Sequence, residues 1–434
     1  MRVRLEGKAQ EITLEGPLLG RGGEASIYAV PGRTDLAAKI YHNPTDEHAG
    51  KLAAMLAAPP VASPNRGQHV AIAWPVGRLL EAGDTGRVIG YLMPRIDKAH
   101  LIWEFYNPGV RQEICPRFHH GSLLRTARNL AAVVRILHEC GYVLGDLNES
   151  NVLVTPQALV TLIDVDSFQT PGSDRLYRCR VGRPDYTPPE LQEASFAEVD
   201  RRPEHDAFAL AVLFFQLLMQ GVHPFAGKYV GDGEPDTIPA RIAAGYWPYA
   251  WKSAGPMQPS PHAPSWFVLP PSVQELLRRC FEDAHAEPDS RPGAAQWQHA
   301  LEEAEHELMT CASSAQHVYH RGLDRCPWCV LAQQQGRDPF PDSSAVRPLP
   351  SAKRKPNVLN IKQITMVDDP LPPKPEPPPI APSAPGGVEI VLQAIGAGVE
   401  RRGWLLWLGV ALVGAVAGLV YALQRALPGK ALGL

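Results

Sequence analysis

The sequence predicts an α+β protein with two lobes, a small β-rich lobe followed by a larger helical lobe. Residues 1–95 alternate short apolar runs with Gly and Pro, which is typical of a small antiparallel sheet. From Ser122 onward, apolar residues recur at helical spacing. The length of 434 residues and the hydrophobic content of 45% suit two or three domains with a large core.

Four strands and one helix are predicted in the first lobe. The strands lie around Leu14 and over residues 27–30, 36–41 and 88–93. The Ala- and Leu-rich stretch 45–57 predicts a helix between two of these strands.

Helices dominate the second predicted lobe. The first helix begins with Ser122 as its N-cap and ends before Gly141. The next runs from Asp206 to Leu218 and is almost wholly apolar, so it is expected to be buried. Further helices are predicted around 272–282 and 293–309.

Charge and cysteine usage exclude some classes of protein. The net charge of −3 gives no general attraction to nucleic acid. No apolar run follows the basic residues of the N-terminus, so no signal peptide is expected. Four of the seven cysteines are scattered, as in a reduced cytosolic domain, whereas three fall between 311 and 329 and suggest a metal site.

Three polar residues in the middle of the chain carry the first functional prediction. Asn151 follows Asp146 by five residues, and Asp164 lies thirteen residues further on. A carboxylate of this kind can accept a proton from a hydroxyl, while the amide and the second carboxylate hold the magnesium ions that bridge ATP phosphates. The spacing therefore predicts a phosphotransferase site.

A glycine-rich segment and a lysine precede these residues. Gly20 and Gly22 allow the backbone to approach phosphate oxygens closely. Lys39 lies in the apolar run 36–41. It is either a lysine that extends to water or a cation for the α and β phosphates, and its place after a glycine-rich hairpin favours the second role.

Taken in order, these motifs resemble the protein kinase superfamily over about residues 13–305. The resemblance implies a bilobal kinase fold, ATP as phosphate donor and Mg²⁺ on Asn151 and Asp164. It implies Asp146 as catalytic base, assisted by Lys39. Carried over position by position, it places the nucleotide against Gly20, Gly22, Ile27, Ala37, Lys39, Glu47, Met93 and Leu153.

The resemblance also implies supports in the second lobe. Glu190 is expected to pair with Arg291, and Asp206 to bind the backbone of the catalytic loop. Capping of its own helix is the simpler role for Asp206 and is compatible with that one.

Several positions depart from the family pattern. Gly145 replaces an arginine that docks an activation-loop phosphate, so control by loop phosphorylation is less expected. Asn148 and Arg183 replace a lysine and a threonine near the accepting hydroxyl, which leaves acceptor specificity open. Glu47 is the expected helix carboxylate for Lys39.

A Cys/His segment follows the second lobe at residues 310–335. Cys311, His317 or His320, Cys326 and Cys329 could form the Cys₃His set of a structural zinc site, with His317 as the assigned ligand. Free thiols and a redox Cys-x-x-Cys are the alternatives.

The remaining residues predict an attachment to a membrane. Residues 336–400 are a Pro-rich flexible linker. Residues 404–423 carry no charge and as a helix measure about 30 Å, one hydrocarbon thickness. A buried core helix is the alternative to a single membrane span, which would leave a short tail at 424–434 and the kinase lobes at 1–95 and 96–309 in the cytoplasm.

The combined hypothesis is a membrane-anchored serine/threonine protein kinase. A pseudokinase or nucleotide-binding scaffold is the main alternative, and a kinase of small molecules is a third. The Gly-Asp-Leu-Asn loop with Cys-Pro-Trp-Cys resembles a bacterial kinase subgroup, which implies a protein phosphatase and a von Willebrand A-type protein as partners.

Overall fold

An antiparallel sheet of seven described strands forms the first lobe. The computed structural model describes residues 1–15, 18–60, 69–83, 86–232, 237–252 and 255–342. The strands are β1 (Arg2–Leu5), β2 (Glu11–Thr13), β3 (Leu18–Arg21), β4 (Ala25–Val30), β5 (Arg33–Tyr41), β6 (Gly77–Glu81) and β7 (Val88–Pro94). Their order across the sheet is β2-β1-β6-β7-β5-β4-β3, so β5 lies between β7 and β4.

One helix, α1 (Asp46–Ala57), packs on this sheet. It begins where the Thr45 hydroxyl accepts a hydrogen bond from the backbone N–H of His48, which satisfies one of the free donors of the first turn. The apolar residues Leu52 and Met55 are almost fully buried.

The second lobe is mainly helical. Its helices are α2 (Ile102–Tyr106), α3 (Pro108–Ile114), α4 (His120–Glu139), α5 (Pro203–Leu218), α6 (Ile238–Ala243), α7 (Pro271–Phe281), α8 (Ala294–His306) and α9 (Pro327–Gln335). Its strands are β8 (His100–Leu101), β9 (Val152–Val154), β10 (Val160–Leu162), β11 (Thr170–Pro171), β12 (Leu176–Tyr177), β13 (Gly227–Tyr229), β14 (Met257–Pro259), β15 (Leu308–Cys311) and β16 (Ser314–His320).

The centre of this lobe is α5, whose residues from His205 to Leu218 are all buried. Helices α4 and α8 pack beside it, and the ring of Phe214 meets that of Trp297 edge-on at 5.2 Å between centroids. The small sheet β10-β9-β8 lies on the same lobe and holds the loop between α4 and β9. Helix α5 and this small sheet position the residues of the site described below.

Several predicted boundaries differ from the structure. Strands β1, β3 and β6 were not predicted, because they are short and carry Gly or charged residues. Helix α4 begins after His119 rather than at Ser122, because Gly121 packs against Leu308 and His120 against Trp328.

At the end of the second lobe the predicted helix over 293–309 divides. Helix α8 stops at His306, and residues from Leu308 form the hairpin β15–β16. The first residues of the predicted linker 336–400 are packed on the lobe, since Phe340 is only 3% exposed.

The predicted membrane span 404–423 lies outside the described residues. In the part of the chain that the structure describes, no helix is both long and apolar enough to cross a bilayer.

Candidate active site

The site is centred on Lys39, which lies in the middle of the first sheet. On β5, Lys39 is paired with Ile27 of β4 and Tyr91 of β7. Its ammonium contacts two carboxylates of the second lobe, Asp164 and Asp166, each at 2.5 Å. The lysine side chain is 8% exposed, so this cation is held between the lobes rather than extended to water.

The two carboxylates differ in exposure. Asp164 follows β10 and has a left-handed backbone with φ of 59°, a conformation that is uncommon for residues other than Gly and is enriched at functional sites. Its side chain is 44% exposed, whereas that of Asp166 is 7% exposed. Asp166 also accepts hydrogen bonds from the hydroxyls of Tyr41 at 2.9 Å and Tyr91 at 2.8 Å.

The prediction that Glu47 pairs with Lys39 is wrong. Glu47 forms ion pairs with Arg180 at 2.8 Å and Arg175 at 3.8 Å, both in the segment after Asp166. Glu47 lies in the first turn of α1, where its carboxylate reaches these arginines, and Asp166 fills the position beside Lys39.

Opposing effects set the protonation of this group. Burial alone lowers the pKa of Lys39, but the charges of Asp166 and Asp164 outweigh it, so the pKa is raised. Burial raises the pKa of Asp166, yet the Lys39 charge and the hydrogen bonds from Tyr91 and Tyr41 bring it below the usual range. The lysine is therefore a cation and Asp166 an anion at neutral pH.

Asp146 lies in the loop between α4 and β9. The Asn148 amide donates to its carboxylate at 2.9 Å, and the Asn151 amide donates to its backbone carbonyl at 2.9 Å. The backbone N–H of Ile163, next to Asp164, donates to the carbonyl of Asn151 at 3.0 Å. The structure thus brings the three residues of the predicted trio into one group.

Burial raises the pKa of Asp146, and the negative charge of Asp164 adds to this effect. The Asn148 hydrogen bond and the charge of Arg183 act in the opposite direction. A carboxylate with a raised pKa is a better proton acceptor than an ordinary aspartate. Asn148 is 1% exposed and orients Asp146, and it does not extend towards an incoming substrate.

The predicted role of Asp206 is confirmed. Its carboxylate accepts from the backbone N–H groups of Leu144 at 2.7 Å and Gly145 at 2.8 Å, and contacts His138 at 2.8 Å. The helix α5 therefore fixes the backbone just before Asp146 rather than capping itself with this residue.

The structure explains why Gly145 stands where the family has an arginine. The Gly145 φ of 71° is the left-handed conformation that favours Gly. A Cβ at this position would lie 2.6 Å from the Cβ of Cys179 and 2.7 Å from its sulfur. Cys179 is buried, so the segment after Asp166 closes directly on the catalytic loop where a larger residue would stand.

The residues predicted to contact the nucleotide lie on both lobes. Gly20 is in β3, and Gly22 bonds to the Ala25 carbonyl at 2.9 Å in the turn of the β3–β4 hairpin. Except for Glu47 on α1, the others lie on four further strands, namely Ile27 on β4, Ala37 and Lys39 on β5, Met93 on β7 and Leu153 on β9. Ala37 is opposite Met93 in the sheet, so these two share one edge of the site.

Beside Asp146, Arg183 forms an ion pair with Glu149 at 2.8 Å. Further along the segment, Glu190 receives both terminal nitrogens of Arg291, at 2.6 and 2.8 Å. This predicted pair is confirmed, and it ties the residues before α5 to the last helices of the lobe. Bidentate geometry and the near-complete burial of Arg291 make it a rigid support.

Residues 89–301 match the family model described as protein kinase domain. This part of the chain belongs to the protein kinase superfamily. The chain is 35% identical over 329 residues to the protein kinase YegI of Escherichia coli K12, covering 75% of this chain and 49% of that protein. The YegI of Escherichia coli O157:H7 is 34% identical over 339 residues, covering 77% of this chain and 51% of that protein.

A more distant relative is the serine/threonine-protein kinase kin-29 of Caenorhabditis briggsae, 31% identical over 119 residues, or 27% of this chain and 14% of that protein. The chain spans about half the length of the two YegI proteins. Its bilobal fold is a kinase fold, as the sequence predicts.

Four side chains of the Cys/His segment, which follows helix α8, converge. The ligand atoms of Cys311, His317, Cys326 and Cys329 all lie within 4.8 Å of one another. The sulfurs of Cys311 and Cys329 are 3.8 Å apart. Zinc–sulfur bonds of about 2.3 Å at tetrahedral angles require about the same separation. The donor set therefore fits a tetrahedral zinc ion.

His317 rather than His320 belongs to this group. Its Nδ1 lies 3.3 Å from the Cys329 sulfur, and its Nε2 contacts the carboxylate of Asp338 at 2.9 Å. His320 instead contacts Glu307 at 2.9 Å. A carboxylate behind a ligating histidine fixes the ring orientation and the tautomer of that histidine.

Residues after Asp338 attach this group to the second lobe. Arg111 is 1% exposed and donates to the carbonyl of Pro339 at 2.8 Å and to that of Phe105 at 2.7 Å. The ring of Phe340 lies 4.5 Å from the Arg111 guanidinium carbon. The Cys/His segment is thus continuous with the core of the lobe.

Sequence reasoning missed four residues that shape these sites, namely Asp166, Tyr41, Tyr91 and Asp338. Asp166 occupies the place where the family has the Gly of Asp-Phe-Gly, and that departure was the available indication. The tyrosines and Asp338 lie far along the chain from their partners, and nothing local marks them.

Proposed function

We propose that this chain is an ATP-dependent protein kinase that transfers the γ-phosphate to Ser or Thr of a protein. The observation that carries the proposal is the contact of Lys39 with Asp164, 125 residues apart in sequence, beside the hydrogen-bonded pair of Asp146 and Asn151. A cation for phosphates, two oxygen ligands for magnesium and a proton acceptor are the parts that phosphoryl transfer requires.

Each residue has a distinct task in this proposal. Asn151 and Asp164 would hold magnesium, which neutralises the phosphate charge that develops during transfer. Lys39 binds the nucleotide phosphates. Asp146 orients the accepting hydroxyl and takes up its proton, a task that its raised pKa favours. Positioning and charge neutralisation supply most of the rate.

A protein substrate is favoured over a small molecule. The segment closed by Glu190 and Arg291 is the one that receives a peptide in the protein kinase family, and its supporting ion pair is intact here. The relatives are named protein kinases, and one is named a serine/threonine-protein kinase.

A nucleotide-binding scaffold without transfer is the second candidate. Asn148 stands where the family has a lysine, and Arg183 is held by Glu149, so the accepting side of the site lacks its usual groups. Labelled ATP and Mg²⁺ should be incubated with the full chain and candidate proteins, beside Asp164→Ala and Lys39→Met. Phosphoamino acid analysis of the product identifies the acceptor.

Transfer by the parent chain that both variants lose supports the kinase. Binding of labelled ATP without transfer to any protein, including the chain itself, would leave the scaffold. An absence of ATP binding would overturn both.

Structural zinc and membrane attachment complete the proposal. The Cys₃His group with its supporting carboxylate favours zinc as the ion. The uncharged run 404–423 favours a single span, with the kinase domain on the cytoplasmic side where ATP is available. Fractionation of cells into membrane and soluble proteins tests the span. Co-purification tests a phosphatase and a von Willebrand A-type partner.

A further inference from the structure

Asp166 is the most enclosed carboxylate of the candidate active site. Three donors surround it, the Lys39 ammonium at 2.5 Å and the hydroxyls of Tyr41 and Tyr91 at 2.9 and 2.8 Å. A carboxylate removed from water is costly unless its oxygens are satisfied, and here both oxygens accept hydrogen bonds. Asp166 is therefore a fixed charge within the fold.

Helix α1 supplies no carboxylate to this cluster. Its Glu47 is turned to Arg180 and Arg175. One turn further along α1, the buried charged residue is Lys51, which is 8% exposed and carries no carboxylate. The helix contributes only indirectly, because the ring of His48 stacks on that of Tyr41 at 4.2 Å between centroids.

The two carboxylates that contact Lys39 are suited to different tasks. Both carboxylates contact the Lys39 ammonium, but one side of the cluster is open to solvent. Asp164, at 44% exposed, lies on that open side and can take a metal ion. Asp166, at 7% exposed, cannot leave Lys39 without breaking its hydrogen bonds to both tyrosines.

We propose that Asp166 is the positioning carboxylate of Lys39, a task performed by the segment after β10 instead of by helix α1. This inference rests on the proposed function, since the lysine is positioned for nucleotide phosphates. Asp166 keeps Lys39 in place when Asp164 turns to magnesium. The lysine and its carboxylate are then aligned without any movement of α1, and Glu47 is free to hold the segment that carries Arg180.

The test is a double-mutant cycle between Lys39 and Asp166. The full chain is compared as Asp166→Asn, Lys39→Met and the double variant, with Glu47→Gln as the matched helix control. The Kd for MgATP, from equilibrium binding, and the unfolding temperature are measured for every variant, and kcat for the variants that keep Lys39. Asp166→Asn is expected to raise the Kd for MgATP by about tenfold, which is the usual effect of losing one charge-assisted hydrogen bond.

In the Lys39→Met background, Asp166→Asn should change the Kd for MgATP by less than about twofold, because its partner is already gone. Glu47→Gln should raise the Kd far less than Asp166→Asn. Asp166→Glu, which keeps the charge, should recover part of the affinity. Should Asp166→Asn fail to fold, Tyr91→Phe removes one of the donors and is expected to raise the Kd more mildly.

Two results would overturn the inference. The first is a loss in Glu47→Gln equal to that in Asp166→Asn. The second is a cost of Asp166→Asn that is the same with and without Lys39, which would mean a purely structural role. A parent chain that binds no ATP contradicts the proposed function instead, and the unfolding temperatures of the cycle still show whether the two residues are coupled.

Discussion

At the scale of single residues, the site depends on close contacts and on unusual backbone conformations. Gly145 is the clearest case, because its left-handed backbone and its contact with Cys179 act together. Asp164 carries a similar backbone conformation without being Gly, and its carboxylate contacts Lys39. Both residues lie in the candidate active site, where such conformations are commonly found.

Gly145→Ala is expected to lower the free energy of unfolding by about 2 kcal/mol. Left-handed backbone costs a residue with a Cβ about 1 kcal/mol or more, and the new methyl group would displace Cys179. Chemical denaturation measures the change. The control is Gly255→Ala, where a Cβ meets no atom within 4 Å and the expected effect is close to zero. Equal stabilities of the two variants would contradict this account.

Local sequence determines how much of the site could be predicted. Asp146 and Asn151 lie on one short loop, and Asp164 follows the next hairpin, so their spacing was sufficient. The partner of Lys39 was predicted wrongly, because Asp166 and Glu47 are both carboxylates at plausible distances in sequence. Only the packing of Tyr41 and Tyr91 decides between them, and that packing has no local pattern.

At the scale of elements, the Cys/His segment is part of the second lobe. The hairpin β15–β16 and helix α9 enclose the four candidate ligands, while Asp338 and Arg111 hold the chain that follows. The start of α4 could not be predicted from local sequence, because it depends on contacts with this segment. Its first residues are helical because this segment packs on them, and Ser122 as a local N-cap had suggested a later start.

Cys326→Ser should remove bound zinc, from about one ion per chain to almost none, and lower the unfolding temperature, because metal binding and folding are coupled. Elemental analysis of protein purified with reductant measures the metal. Cys140→Ser is the matched control, since Cys140 is exposed and lies outside the group. A parent chain free of zinc would refute the site.

At the scale of the whole molecule, buried polar groups connect the helices of the second lobe. His205 opens α5, where its Nδ1 accepts from the backbone N–H of Arg202 at 3.0 Å. Burial lowers its pKa to about 4, an effect that Arg202 and Arg201 reinforce and that Glu190 opposes. The histidine is therefore neutral in the folded protein at pH 7.

This depressed pKa predicts a loss of stability in acid. Between about pH 6.5 and about pH 4, His205 is protonated in the unfolded chain but neutral in the folded chain. The free energy of unfolding therefore falls as the pH falls through this range. The expected contribution is roughly 3 kcal/mol. His205→Gln keeps an acceptor for Arg202 and should show a shallower decline over this range in denaturation measured at successive pH values. An unchanged slope would contradict the assignment.

The order of the elements along the chain could be predicted, because the spacing of apolar residues changes from alternating to helical along the local sequence. The correct pairing of Glu190 with Arg291 came from the resemblance to a family. The attachment of Phe340 and Pro339 to Arg111 could not be foreseen, since a proline-rich stretch predicts an extended linker.

We propose that Asp146 acts on the accepting hydroxyl in a site that binds MgATP through other residues. The most direct measurement is the single-turnover rate of γ-phosphate transfer at saturating MgATP, for the parent chain and Asp146→Asn. We expect Asp146→Asn to lower this rate by roughly 10²–10⁴-fold, with ATP affinity nearly unchanged. Equal rates of transfer in the two proteins would contradict it.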